Sequence, residues 1–295
     1  MRIAVLGAGT MGHGIAQAAA MANNEVTIRD LEEGILEEGV NAIASNLQGG
    51  IERGKVSKKQ KAATLDQITT TTSLSNAVVD ADLVIEAVPE ILEVKHDTFQ
   101  EVENAAPEDT IIASNTSSLS VTEIASALDR SERAIGLHFF NPVHIMGLVE
   151  IVVAEQTDDE TIAFAEEFIK DIGKEPVTVR DSAGFASSRL GVSLGVEAVR
   201  MLETGVASPQ AIDRAMELGY NHPMGPIELT DVVGLDIRLD ILEYLQEELG
   251  ERFRPPQLLR QKVRAGKLGK KTGEGFYLWE NGERVGVSGD LEGGR

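Results

Sequence analysis

Short apolar runs alternate with longer stretches of helical periodicity through the first part of the chain. Residues 2–6 (RIAVL), 25–28, 82–88 (DLVIEAV), 110–113 and 134–140 are rich in β-branched and aliphatic residues and predict strands. Between them Ile15, Ala16, Ala19 and Ala20 recur at helical spacing, and residues 31–48 and 91–104 carry helical patterns. Residues 148–153 and 175–179 are two further strand-like runs. Such alternation predicts an α/β domain with a parallel, doubly wound sheet and crossover helices. From Ala183 onward the pattern is helical: 185–203, 209–218, 227–249 and 257–263. These expectations put a domain boundary near Asp181, dividing a domain at 1–181 from an all-helical C-terminal domain at 182–280. The Gly-rich, charged segment 281–295 is expected to be a flexible tail.

The first strand runs straight into Gly7-Ala8-Gly9-Thr10-Met11-Gly12, and a helix follows. This is the setting of a Rossmann-type dinucleotide site. The glycines allow a tight turn, close approach of a pyrophosphate and close helix–strand packing. The expected cofactor contacts are therefore Gly7, Gly9, Thr10, Met11 and Gly12. Asp30 ends the next strand, where a carboxylate accepts hydrogen bonds from the adenosine ribose and repels a 2′-phosphate. NAD is the expected cofactor; Arg29 beside Asp30 keeps NADP open. The competing reading, glycines that serve only a turn, gains nothing from an acid at Asp30.

Of the histidines, His138 is placed best by topology, at the end of a strand in His138-Phe139-Phe140-Asn141-Pro142. Ligands of open parallel sheets collect at the carboxyl ends of strands, and imidazole suits removal of a hydroxyl proton near neutrality. His13, His96, His144 and His222 lie in a helix or turn. Glu150 interrupts an apolar strand, a costly place for a charge unless it has a partner. The turn at Asn141-Pro142 lets that strand fold back beside His138. The alternative sets Glu150 on an outward strand face. Ser117 and Asn141 also follow strand ends and could orient substrate or nicotinamide, or serve as turn residues.

Composition narrows the classes. A chain of 295 residues accommodates two cored domains. A net charge of −21 argues against nucleic acid. Either solubility or a high-salt cytoplasm and an acidic proteome would account for that acidity. No apolar run approaches the roughly 20 residues that span a bilayer, and the opening MRIAVLGAG lacks the pattern of a signal peptide. A cytoplasmic protein without a membrane partner is expected. The absence of cysteine excludes disulfides and thiolate chemistry, and no metal site is expected.

Residues 7–12, 114–119 and 138–143 together resemble the 3-hydroxyacyl-CoA dehydrogenases, including the 3-hydroxybutyryl-CoA dehydrogenases. Glu86-Ala87-Val88-Pro89-Glu90, Lys95, His222-Pro223-Met224-Gly225-Pro226 and the stretch from Leu268 to Tyr277 extend the resemblance. It implies His138 as catalytic base with Glu150 as partner, and Ser117 and Asn141 at substrate and nicotinamide. It further implies Asp30, Glu90, Lys95 and Lys271 as NAD contacts, an acyl-CoA substrate and a homodimer built on the second domain. Arg53 falls where the family places a CoA-contacting lysine. With Lys55, Lys58, Lys59 and Lys61 it forms the densest basic stretch, which could hold phosphates or be a solvated loop. One departure concerns Ser188, which occupies a position the family often fills with asparagine; a shorter side chain there puts direct substrate contact in doubt. Two other readings remain: a dehydrogenase of a free 3-hydroxy acid, and a non-catalytic NAD-binding protein.

Overall fold

A computed structural model describes residues 1–289 and 291. By internal contacts the chain divides into Met1–Phe185 and Ala186–Arg295. In the first unit the elements run β1 (Arg2–Leu6), α1 (Gly12–Met21), β2 (Glu25–Arg29), α2 (Glu33–Glu52), α3 (Lys58–Asp66), β3 (Ile68–Thr71) and α4 (Leu74–Val78). They continue with β4 (Leu83–Glu86), α5 (Leu92–Ala105), β5 (Ile111–Ser114), α6 (Val121–Ala125), β6 (Ala134–Phe139), β7 (Leu148–Val153), α7 (Asp159–Asp171) and β8 (Glu175–Arg180). One sheet holds all these strands in the order β3-β2-β1-β4-β5-β6-β7-β8. Pairing is parallel from β3 to β6, as the alternation predicts. At β7 it turns antiparallel, and β8 then runs parallel to β7.

Burial on both sheet faces explains the near-continuous apolar runs. Along β1, Ile3 and Val5 join a core with α1, α2 and α7, through Ile15, Ile43 and Phe168. Ala4 and Leu6 point the other way, into a core with Phe99, Val102, Val121 and Ile124. Asp181 to Phe185 stay with this unit, later than the expected boundary. The Asp181 carboxylate accepts from Ser120 Oγ at 2.7 Å and Thr122 N at 2.8 Å, and Phe185 is buried in the second core.

The second unit contains α8 (Ser187–Glu203), α9 (Pro209–Tyr220), α10 (Pro226–Val233), α11 (Leu235–Leu249) and α12 (Gln257–Arg264), then β9 (Tyr277–Glu280) and β10 (Glu283–Val287). Two expectations need correction. The helix expected over 227–249 is two helices, because Gly234 takes φ 107° and breaks a periodicity that runs on through it. The unit also adds to its helices an antiparallel hairpin of β9, at the end of the expected helical domain, and β10, where a flexible tail was expected. The turn is Asn281-Gly282, with φ 50° and 82°, the dipeptide that most favours a tight hairpin. Ser288 beyond it is fully buried and accepts from Lys262 Nζ at 3.0 Å. The rest of that segment, Asp290 and residues 292–295, lies outside the described residues.

Buried carboxylates organise this unit. Asp231 accepts from Phe276 N, Tyr277 N and Trp279 Nε1 at 2.8–2.9 Å. Asp213 accepts from Ile227 N, Glu228 N and the Tyr277 hydroxyl at 2.7–3.0 Å. Burial pushes both carboxyls above their usual range. At Gly275 a Cβ would stand 2.2 Å from Asp231 Oδ1. The stretch 268–277 is thus held to α10 by hydrogen bonds that require its glycines.

Candidate active site

The glycine loop lies at the carboxyl end of β1, beside β4, where the strand order reverses direction. Each glycine answers a different constraint. Gly7 has φ 106°, and a Cβ there would meet Ala87 O at 2.5 Å. At Gly12 a Cβ would fall 1.8 Å from Gly7 O, so the helix could not start so close to the strand. Gly9 has no protein atom within 4 Å of a Cβ position. Protein packing alone therefore leaves Gly9 free to carry a side chain, and the open space suits a ligand's approach. The first turn of α1 has no side-chain cap and no acid; His13 N donates to Gly9 O at 3.1 Å, and the Gly12 N–H at the start of the helix is left to an anion. Gly9 and Thr10 are exposed, Met11 half-buried.

Asp30 closes this loop from β2. Its Oδ2 accepts from Ala8 N at 2.7 Å and its Oδ1 from Leu31 N at 2.7 Å. Each carboxylate oxygen retains a lone pair for a ribose hydroxyl. These residues fit an adenine dinucleotide. Arg29 turns its Nε to Thr72 O at 3.4 Å.

A buried charge cluster follows at the ends of β4 and β5. Lys95, 1% exposed, donates to both Glu86 oxygens at 2.7 and 3.0 Å and pairs with Glu90 Oε2 at 3.1 Å. Those three contacts use every proton of its ammonium, so Lys95 acts here on two carboxylates. Burial raises the Glu86 carboxyl despite Lys95 and the Ser114 hydroxyl. Burial would raise Glu90 too, but Lys95 and the donors from the next loop outweigh it and hold that carboxyl below its usual range. Those donors are Thr116 Oγ1 at 2.6 Å, Ser117 N at 2.9 Å and Ser118 N at 3.3 Å, all on Glu90 Oε1. Glu90 therefore gathers the loop that carries Ser117, whose side chain is exposed.

Asn115 Oδ1 in that loop accepts from Phe139 N at 3.0 Å, which ties it to the end of β6. There His138 and Glu150 face each other directly across the antiparallel β6–β7 pair. His138 Nδ1 stands 2.8 Å from Glu150 Oε2, with the side chains 8% and 1% exposed. The outward placement of Glu150 is thereby excluded. Phe140 and Phe185 lie at 4.5 and 5.7 Å from the imidazole, ring centre to ring centre. The carboxylate engages Nδ1 and fixes the ring's tautomer and plane, so Nε2 is the nitrogen left for proton exchange. Asn141, just beyond β6, is exposed.

Residues 2–182 match the family described as 3-hydroxyacyl-CoA dehydrogenase, NAD binding domain, and residues 184–279 match its C-terminal domain. The chain belongs to the 3-hydroxyacyl-CoA dehydrogenase family. It is 42% identical to a 3-hydroxybutyryl-CoA dehydrogenase of Clostridioides difficile over 278 residues, 94% of this chain and 99% of that one. Against the mitochondrial hydroxyacyl-coenzyme A dehydrogenase of Rattus norvegicus identity is 43%, covering 94% and 91% of the two chains. The crystal structure of an (S)-3-hydroxybutyryl-CoA dehydrogenase from Ralstonia eutropha superposes with a TM-score of 0.91 at 41% identity, covering 95% and 99%.

In this dehydrogenase fold the remaining candidates scatter. Arg53 caps the C-terminus of α2 and, like Lys55, is exposed. Lys58, Lys59 and Lys61 sit on α3, not in a loop; Ser57 and Gln60 form a capping box that starts this helix. Lys271 lies in the second unit and pairs with Asp236 at 2.6 Å. Ser188 is half-buried in the first turn of α8. His96 Nε2 lies 2.9 Å from Glu123 O and His13 Nδ1 2.8 Å from Gly9 O, both committed to backbone. Sequence reasoning missed Glu86, Ser114 and Asn115 as site residues. The signal for Glu86 was present, since it interrupts an apolar strand just as Glu150 does.

Proposed function

We propose that this chain interconverts (S)-3-hydroxyacyl-CoA and 3-oxoacyl-CoA with NAD(H), using His138 as general base and acid. The single observation that carries the reading is the buried His138–Glu150 pair, on the same sheet as the dinucleotide loop. In the oxidative direction His138 takes the substrate hydroxyl proton at Nε2, and Glu150 stabilises the resulting imidazolium through Nδ1. In the reductive direction the same nitrogen returns that proton to the carbonyl oxygen. NAD, when bound, supplies the hydride acceptor or donor. Ser117 and Asn141 orient substrate and nicotinamide, and Glu90 positions Ser117. Asp30 holds the adenosine ribose, and Lys271 is assigned to the cofactor as well. Lys95 serves cofactor binding by setting Glu90.

The substrate side of the proposal assigns the CoA phosphates to Arg53 and Lys55, with Ser188 near the acyl group. The relatives' names support an acyl-CoA substrate. A homodimer belongs to the reading as well. Leu190 and Leu194 on α8, with Leu229 and Val232 on α10, are large apolar side chains left exposed on the second unit. No helix among the described residues is long and apolar enough to cross a membrane. A cytoplasmic site of action completes the proposal; a chain without cysteine is indifferent to a reducing compartment.

The deciding experiment follows NADH oxidation with acetoacetyl-CoA, free acetoacetate and a series of longer 3-oxoacyl-CoA thioesters. Turnover of the thioesters with little turnover of the free acid is expected. Equal turnover of free acetoacetate would favour a free 3-hydroxy acid as substrate. NADH binding without turnover of any of them would make the chain a non-catalytic binder.

A further inference from the structure

Glu86 ends β4 with a fully buried carboxylate. In the sheet register it stands between Leu6, the residue before the glycine loop, and Ser114, the residue before the loop that carries Ser117. Its Oε1 accepts from Lys95 Nζ at 2.7 Å and from Ser114 Oγ at 2.5 Å, and its Oε2 accepts from Lys95 at 3.0 Å. Both oxygens accept, which is the pattern of a charged carboxylate. A buried ion pair adds little stability that apolar residues of the same volume would not supply. Stability alone is therefore a poor reason for this one.

Two chains of hydrogen bonds lead from Glu86 to the loop at 116–118. One runs through Lys95, which reaches Glu90 Oε2 at 3.1 Å; Glu90 Oε1 then accepts from Thr116 Oγ1, Ser117 N and Ser118 N. The other runs through Ser114, whose Oγ accepts from Thr116 N at 3.2 Å while donating to Glu86. The two routes meet at Thr116, which is buried and whose Oγ1 accepts in turn from Leu119 N at 3.0 Å. The Glu86 carbonyl adds a backbone tie, accepting from Asn115 N at 3.0 Å. The Glu90 side chain is 36% exposed and would turn toward water without Lys95, and Lys95 has Glu86 as its buried anchor.

We propose that Glu86 is a positioning residue for the dehydrogenase reaction. As the fixed end of both routes it holds the loop at 116–118, and with it the Ser117 hydroxyl, where substrate and nicotinamide are oriented. The proposal rests on the role of Ser117 in the proposed reaction. Glu86 itself acts only through Lys95, Glu90 and Ser114.

Glu86→Gln keeps the shape of the side chain and removes its charge. Hydrogen exchange of the Ser117 and Ser118 amides in the full chain, read by NMR, is expected to speed up by about tenfold or more relative to the amides of β1. Kinetics with acetoacetyl-CoA should show kcat lowered about tenfold to a hundredfold, with KM for NADH changed by less than about threefold. In a Ser117→Ala background the same substitution should cost almost nothing further, since it acts through that hydroxyl. Losses that multiply independently, or unchanged exchange at both amides, would overturn the proposal. Removing one partner of a buried pair also loosens a fold, so the second variant is Glu86→Gln/Lys95→Met, which removes both charges at similar volume. It should melt within a few degrees of the native chain and still show fast exchange and low kcat. Recovery of both in that variant would mean that the pair serves stability alone, and the proposal would fall. Should Glu86→Gln not fold, the double variant decides. Should the native chain turn over no thioester, the reading of function falls, while exchange at the two amides still decides on Glu86.

Discussion

Truncating His138 to Ala removes the imidazole that, among the described residues, the sheet pairs with a buried carboxylate, so chemistry should suffer far more than binding. A positioned general base contributes about 10²- to 10⁴-fold. We expect steady-state kinetics of His138→Ala to show kcat lowered by about that range, with KM for NADH changed by less than about threefold. Glu150→Gln keeps the shape of the side chain and loses the charge that stabilises the imidazolium. It should lower kcat by about tenfold to a hundredfold, again without weakening NADH binding. A parallel loss of NADH affinity in both variants would show that the pair supports the fold rather than the reaction. This pair was legible in the sequence because a charge in an apolar strand and a turn of the right length point to each other. The fate of Lys95 was not. That its protons go to Glu86 and Glu90 depends on β4, its following loop and α5 meeting in space, which no spacing along the chain announces.

The glycine loop separates packing from ligand approach within a few residues. Gly12→Ala drives a methyl group into Gly7 O, and overpacking of this kind costs about 1–3 kcal/mol or more; calorimetry should show a clear fall in the unfolding midpoint. Gly9→Ala meets no protein atom within 4 Å, so its midpoint should stay within about 1–2 °C of the native chain. If the pyrophosphate passes over Gly9, the same clash energy appears instead as an NADH Kd raised roughly 5- to 150-fold, measurable by NADH fluorescence. An unchanged Kd in Gly9→Ala would place the cofactor elsewhere. Among the elements, long amphipathic helices and buried strands were readable from their periods. β3 was not: it is a four-residue, largely polar edge strand of Ile68 and three threonines, with too little apolar alternation to register. The hairpin escaped for a different reason. Its charged residues suggested solvent, while its Asn281-Gly282 turn and the anchoring of β9 by Asp231, a residue 45–48 positions earlier, determined the outcome.

At the scale of the molecule, α8 offers an apolar pair at i, i+4 spacing, Leu190 and Leu194, exposed by 67% and 44%. If the chain pairs through this face, replacing both with Glu should bring the mass in solution from a dimer to the 31.7 kDa of one chain, read by light scattering. The acidity of the whole chain yields a second expectation. Burial raises the carboxyls of Glu86, Asp213 and Asp231 above their usual values. A carboxyl raised by folding binds its proton more tightly in the folded state. Stability therefore falls as pH rises from the unfolded value through the folded one. Three other carboxyls, Glu90, Asp236 and Glu274, have the opposite sign. Glu90 is held low because Lys95 and its hydrogen-bond donors outweigh desolvation; Glu274 is held low chiefly by its hydrogen bond from Lys267. Their contribution is present above the unfolded value and is lost as pH falls through the folded one. The unfolding midpoint should thus climb as pH drops from neutral toward the ordinary carboxylate range and fall again below that range. Self-repulsion at a net charge of −21 pushes the same way during the climb. Salt separates the two causes, since at 1 M the screening length shrinks to about 3 Å while buried groups are screened much less. Calorimetry in dilute and in 1 M sodium gluconate should show a smaller climb at high salt that does not vanish, the remainder belonging to the three buried carboxyls. A midpoint that peaks at neutral pH in 1 M salt would mean that burial leaves those carboxyls at their ordinary values.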